Sequence, residues 1–191
     1  VCAREGRRTA LQKLVPLPDD QKNGVHHQLE GIDYRTLHRS AYACATRLAD
    51  SGIHPGDRVA LVAKNSPEWA IGFFGILAAG ATVVPLDPEL DEETLGRRCK
   101  KVEVAHALLG PTVEFIDEVA CLDLAEFVTA PPPNQVVEPP EVLVSPDDVA
   151  VVPWTSGTSG NSRPVLLTHQ NLTTVLASVA PLFKMGRRDS A

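Results

Sequence analysis

Short apolar runs alternate along the chain with segments whose apolar residues recur at helical spacing. The runs at residues 58–63, 82–86 and 105–109 are mostly apolar, which is typical of strands buried on both faces of a parallel sheet. Helices predicted at 66–79 and 91–101 separate these runs, and strands joined by helical crossovers pair in parallel. The pattern therefore predicts an α/β fold with a mostly parallel sheet and helices on both faces.

The predicted helices carry start and stop signals. From Arg35 the apolar positions, a cysteine among them, fall on one helical stripe, and Gly52 follows as a stop signal. Ser66 is placed to cap the second helix, which has a proline and a glutamate in its first turn. That helix is apolar nearly all round, so we expect it to be buried. Thr168 can cap a last helix from about residue 169 to 183.

Four stretches divide the chain. Residues 1–28 show little periodicity and are expected to be irregular, whereas residues 29–128 hold the alternating pattern of a first α/β unit. Residues 129–147 are rich in proline, which predicts a linker or an exposed surface loop. Residues 148–191 begin with another apolar run and form the last unit.

Composition narrows the function classes. The 191 residues are 43% hydrophobic and 22% charged, and the formal net charge of −6 weighs against a nucleic-acid partner. Four widely spaced cysteines without a CxxC pair predict neither a disulfide framework nor a zinc site, and favour a reducing, cytoplasmic setting. No apolar run reaches the roughly 18–20 residues that span a bilayer, which leaves only peripheral membrane association open. No signal peptide is visible.

A loop rich in glycine and hydroxyl residues follows the apolar run at 149–152. It reads Thr-Ser-Gly-Thr-Ser-Gly at residues 155–160, and Arg163 comes shortly after it. Glycines let several N–H groups point inward, hydroxyls donate to phosphate oxygens, and arginine adds a fixed positive charge. The loop thus predicts an anion site, although stretches of this composition are often simple flexible loops. It is not a Walker loop, and the chain has no GxGxxG fingerprint.

Residues 155–171, TSGTSGNSRPVLLTHQN, are similar to TSGTTGxPKGVxxTHxN, the signature of the adenylate-forming (AMP-binding) superfamily. Further blocks resemble that superfamily in order and spacing: GDRVAL from residue 56, NSPE from 65, FFGILAAGA from 73 and VPLDP from 84. The resemblance covers residues 30–183. The superfamily includes acyl-CoA synthetases, luciferases and peptide-synthetase adenylation domains. The resemblance implies that residues 1–191 are an incomplete N-terminal AMP-binding domain, with a phosphate-loop unit at 148–191.

In this superfamily a carboxylate attacks the α-phosphate of ATP, and a thiol, commonly that of coenzyme A, then displaces AMP. The resemblance implies that the β- and γ-phosphates lie against Thr155, Ser156, Gly157, Thr158, Ser159 and Gly160. It makes Thr158 a ligand of Mg²⁺ and puts Arg163 at the position of the superfamily's lysine. His169 would lie on the acyl-substrate side, or else only pack the start of the last helix.

The exit of the loop departs from the superfamily pattern. Ser162-Arg163-Pro164 stands where Pro-Lys-Gly is usual. Arginine keeps the charge without the compact ammonium geometry, and proline fixes φ and removes an N–H group. We therefore expect altered handling of pyrophosphate.

Later motifs of the superfamily, including the Thr-Gly-Asp ribose contact and the C-terminal lysine, are absent from the sequence. The chain also starts at Val1 rather than at a methionine and stops in a polar stretch. We therefore expect a piece of a longer protein that lacks the rest of its N-terminal domain and its C-terminal domain. We expect no catalytic residue in this piece and no complete reaction from it alone.

The parent activity that the sequence predicts is ATP-dependent activation of a fatty or other hydrophobic carboxylic acid, followed by transfer to coenzyme A. Two alternatives stay open. One is a non-catalytic remnant, or pseudoenzyme, that acts as a binding module. The other is an adenylation domain that passes its acyl group to a carrier protein.

Overall fold

An antiparallel hairpin opens the described part of the chain. The computed structural model describes residues 8–16, 27–155 and 162–182. Strand β1 (Thr9–Pro16) pairs with β2 (His27–Asp33). Strand β1 corrects the expectation that residues 1–28 are irregular. Its own sequence has no clear period, and the strand forms because β2 supplies a partner for its backbone N–H and C=O groups.

The main sheet has six strands within the described residues. They are β3 (Arg58–Val62), β4 (Thr82–Leu86), β5 (His106–Leu109), β6 (Ala120–Asp123), β7 (Val149–Val151) and β8 (Leu167–Thr168). Their order across the sheet is β6-β5-β3-β4-β7-β8. All neighbours are parallel except β8, which runs antiparallel to β7 at one edge. The predicted mostly parallel sheet is confirmed.

Helices cover both faces of this sheet, as predicted. In chain order they are α1 (Tyr34–Asp50), α2 (Pro67–Ala78), α3 (Glu92–Lys101), α4 (Leu124–Val128) and α5 (His169–Val179). The predicted caps form: the Ser66 hydroxyl accepts a hydrogen bond from the backbone of Trp69. Thr168 and Asn171 form a reciprocal capping box at the start of α5.

Two apolar cores lie on opposite faces of the sheet. Helices α1, α2 and α4 pack on one face around the fully buried Cys44, Leu61 and Ile76. Helix α3 packs on the other face with Leu95 and Cys99. Burial raises the pKa of the Cys44 thiol to about 12 and that of Cys99 to about 11. Both thiols therefore stay protonated at neutral pH and pack as small apolar groups.

The proline-rich stretch 129–147 contains no helix or strand, but it is fastened to α1. Arg47 donates hydrogen bonds to the carbonyls of Phe127 and Thr129 at 2.8 and 2.9 Å. Arg39 donates to two further carbonyls within the stretch. The stretch thus runs along the outside of α1 and returns the chain to the sheet at β7.

Candidate functional site

The glycine-rich loop starts where β7 leaves the sheet. Beside β4, the Val152 N–H donates to the carbonyl of Val83 at 2.8 Å, and the buried Thr82 hydroxyl donates to the carbonyl of Val149 at 2.7 Å. Because β7 is parallel to β4, residue 155 lies at the edge where the carboxyl ends of the parallel strands gather. Open α/β sheets bind their ligands at this edge.

Residues 153–155 and 162–165 form a short antiparallel loop stem. The Thr155 N–H donates to the carbonyl of Arg163 at 3.0 Å, and the Val165 N–H donates to the carbonyl of Pro153 at 2.9 Å. Trp154 and Pro164 are the pair between these two bonds. In such a non-hydrogen-bonded pair neither residue uses its own N–H in the ladder. Proline at 164 therefore costs the stem no backbone hydrogen bond.

Two side-chain hydrogen bonds close the same stem. The Thr155 hydroxyl oxygen accepts from the Arg163 N–H at 3.1 Å, and the Ser162 hydroxyl donates to the Thr155 carbonyl at 2.6 Å. Thr155 and Arg163 are exposed, and Ser162 is half-buried. Because the Thr155 oxygen accepts one of these bonds, its hydroxyl hydrogen stays available to donate outward. The structure thus brings together two of the predicted phosphate-binding residues, Thr155 and Arg163.

The other predicted loop residues, Ser156, Gly157, Thr158, Ser159 and Gly160, lie outside the described residues. Within residues 8–16, 27–155 and 162–182, no three His, Cys, Asp or Glu side chains gather as metal ligands. Nucleotide-bound Mg²⁺ takes many of its ligands from phosphate oxygens and water. The exposed Thr155 hydroxyl is a described group that fits such a complex.

His169 lies away from Thr155. It is the first residue of α5, where its N–H donates to the Asp148 carbonyl at 3.0 Å. The preceding Thr168 pairs with Val149 at the start of β7. Thr155 lies six residues along the chain from Val149, which in extended backbone is on the order of 20 Å. His169 also lines a cavity of about 230 Å³, and its place on the acyl-substrate side stays a prediction.

A larger cavity, which sequence reasoning missed, opens on the same edge as the loop. Its volume is about 460 Å³, and it lies at the carboxyl ends of β3 and β4. Lys64 and Glu89 line it and form an exposed ion pair at 3.2 Å, while Trp69 of α2 forms part of its wall. Two sequence signals were present: both lining segments directly follow predicted strands, and they overlap the NSPE and VPLDP blocks.

Two cationic side chains lie over the indole ring of Trp154. The Arg98 guanidinium lies 5.0 Å and the Lys101 ammonium 5.7 Å from the ring centroid, within the range of cation–π attraction. Among the described residues neither cation has an ion-pair partner, whereas Arg97 and Lys100 on the same helix do. Two positive charges therefore sit beside the residue that precedes Thr155, although the chain as a whole is acidic.

Helix α5 is the least buried of the described helices. None of its residues is buried, and Val175 and Leu176 are 59% and 66% exposed. The helices within the described ranges are all too short or too polar to cross a membrane.

Comparison with known proteins connects this geometry to a family. The model of a family described as "AMP-binding enzyme" matches residues 2–191. A feruloyl-CoA synthase from an Amycolatopsis species is 32% identical over 78% of this chain, which covers 30% of that protein. A dimodular nonribosomal peptide synthase from Bacillus subtilis is 31% identical over 94% of this chain, which covers 8% of it. The chain thus spans less than a third of the length of these relatives.

A solved structure shows the same fold. The O-succinylbenzoate coenzyme A synthetase from Bacillus subtilis, in complex with AMP, superimposes with a TM-score of 0.74 at 19% identity. The superposition covers 97% of this chain and 45% of the synthetase.

Proposed function

Because this chain belongs to the AMP-binding enzyme family, we propose that it contains the phosphate-binding part of an ATP-dependent carboxylate-activating ligase. The closed loop stem carries this proposal. It holds Thr155 and Arg163 side by side at the carboxyl edge of the parallel sheet. A hydroxyl donor and a fixed cation at this edge suit the oxygens of a polyphosphate.

The proposed reaction has two steps. A carboxylate oxygen attacks the α-phosphorus of ATP, and the bond to the β-phosphate oxygen breaks, which gives an acyl-adenylate and pyrophosphate. A thiol then attacks the acyl carbon and AMP leaves. Positive charge and hydrogen-bond donors placed around the phosphates stabilise the first transition state.

Each part of the site has a proposed role. The Thr155 hydroxyl donates to a phosphate oxygen, and Arg163 neutralises charge on the leaving pyrophosphate. Residues 156–160 would complete the phosphate contacts, and Thr158 would supply a ligand to Mg²⁺. When bound, Mg²⁺ supplies further charge neutralisation to the phosphates. Arg98 and Lys101, stacked on Trp154, raise the positive potential next to the loop.

The proposed acid is a fatty or other hydrophobic carboxylate, and the proposed thiol is coenzyme A, in the cytoplasm. Similarity to a feruloyl-CoA synthase over 78% of the chain supports coenzyme A as the acceptor. A second candidate is an adenylation domain that loads a carrier protein. Similarity to a nonribosomal peptide synthase over 94% of the chain supports that reading.

The test is ATP–pyrophosphate exchange by the complete product of the gene that encodes this chain, with a panel of fatty, aromatic and amino acids. We expect exchange that depends on one class of acid, because adenylation is reversible when pyrophosphate is supplied. Folded protein that shows no exchange with any acid would contradict the proposal and leave a non-catalytic binding module. Thioester formation on free coenzyme A, measured against loading of a carrier protein, then separates the two candidates.

A further inference from the structure

At the loop exit this chain has a hydroxyl side chain, Ser162, where the superfamily signature has proline. We propose that Ser162 is a positioning residue of the anion site, which holds Thr155 and Arg163 in register through the bond from its hydroxyl to the Thr155 carbonyl. This inference rests on the proposed function of the loop. Its basis is the convergence of hydrogen bonds on Thr155 from residues 162 and 163.

Thr155 is held at three of its atoms. Its N–H donates to the Arg163 carbonyl at 3.0 Å and its hydroxyl oxygen accepts from the Arg163 N–H at 3.1 Å. Its carbonyl accepts from the Ser162 hydroxyl at 2.6 Å. The first two bonds orient the side of the residue that faces Arg163. The third holds the carbonyl group of Thr155, the last described residue before the loop.

The two departures from the signature act together. The usual Pro-Lys-Gly has a proline ring at the position of Ser162, and such a ring restrains the chain by fixing φ. In this chain the ring stands two residues later, at Pro164, in a pair that needs no N–H. The Ser162 hydroxyl bond restrains the position that the ring has vacated. At position 162 a hydrogen bond thus replaces the proline ring as the restraint on the chain, and the stem stays closed.

A simpler role for Ser162 is that of a half-buried polar residue with an incidental bond. That role predicts that its removal changes stability slightly and ligand handling not at all. The positioning role predicts that removal of the hydroxyl weakens ligand binding and leaves the thermal stability nearly unchanged. A hydrogen bond of this kind is worth about threefold to tenfold in an equilibrium constant, and the effect should appear on the affinity for the polyphosphate.

The experiment compares Ser162→Ala with Ser162→Thr in the complete gene product. Serine and threonine share the hydroxyl, and alanine lacks it. In ATP–pyrophosphate exchange we expect Ser162→Ala to raise the KM for pyrophosphate by about fivefold, with kcat and the thermal midpoint nearly unchanged. Ser162→Thr should restore the KM. A wild-type KM in Ser162→Ala, or equal losses in both variants, would overturn the inference.

A second readout measures the hydrogen bonds of the loop stem directly. By NMR hydrogen exchange, Ser162→Ala should speed exchange of the Thr155 and Arg163 amides by about fivefold, and Ser162→Thr should not. Unchanged amide exchange in Ser162→Ala also sinks the positioning role. A wild-type protein without pyrophosphate exchange would instead refute the proposed function, and with it any role of Ser162 in an anion site. If only the inference about Ser162 is wrong, the wild-type protein still catalyses pyrophosphate exchange.

Discussion

The centre of the sheet is covered on both faces, whereas its β8 edge is largely uncovered. Strands β3, β4 and β5 lie between α1 and α2 on one face and α3 on the other, and most of their residues are buried. Strand β8 and α5, by contrast, contain no buried residue. The loop stem lies at the boundary between these two regions. Stability therefore comes from the first region, whereas the proposed chemistry depends on a region with little packing of its own.

The two regions should differ most in the loss of unfolding free energy when a leucine in each is replaced by alanine. Leu61 is fully buried in β3, and Leu176 on α5 is 66% exposed. We expect Leu61→Ala to lower the free energy of unfolding by about 2–5 kcal/mol, because it leaves a cavity in the core. Leu176→Ala should cost about 0.5 kcal/mol or less. Urea denaturation of both variants measures this, and equal losses would show that α5 is as well packed as β3.

A smaller effect should appear at the contact between α1 and α2. A Cβ atom at Gly75 would lie 2.5 Å from the Cys44 sulfur, whereas one at Gly96 in α3 would have no neighbour within 4 Å. We expect Gly75→Ala to lower the free energy of unfolding by about 1–3 kcal/mol, because the helices must separate. Gly96→Ala should raise it by about 0.5–1 kcal/mol, because alanine favours the helix.

Thermal or urea unfolding distinguishes the signs of these two glycine substitutions. If Gly75→Ala were as stable as the parent protein, the close approach of α1 to α2 would not limit packing in the first region.

The sequence was most informative where one element's own pattern decides its structure. Apolar runs predicted β3, β4 and β5, and Ser66, Asp91 and Thr168 marked the starts of three helices. All three residues cap their helices in the structure. Local chemistry decides both features, since burial on two faces requires an apolar run and a helix start requires an oxygen acceptor.

The missed elements depend on partners that are distant in the chain. Strand β1 forms against β2, and β6 forms against β5 over a short stretch of mixed burial. The stem bonds of Ser162 and Pro164 likewise need the Thr155 side of the loop. Pro164 removes an N–H group, and its antiparallel pairing with Trp154 shows that the stem uses no N–H at this position; altered handling of pyrophosphate stays a prediction. Pairing register cannot be read from one strand.

The most direct test of the central claim, that the loop stem grips a polyphosphate, is pyrophosphate exchange by Arg163 variants of the complete gene product. We expect Arg163→Ala to lower kcat/KM by at least about tenfold, because it removes a charge from the leaving pyrophosphate. Arg163→Lys should retain most of the activity, and Arg35→Ala, an exposed arginine on α1, should match the wild type. Wild-type exchange in Arg163→Ala would contradict the account.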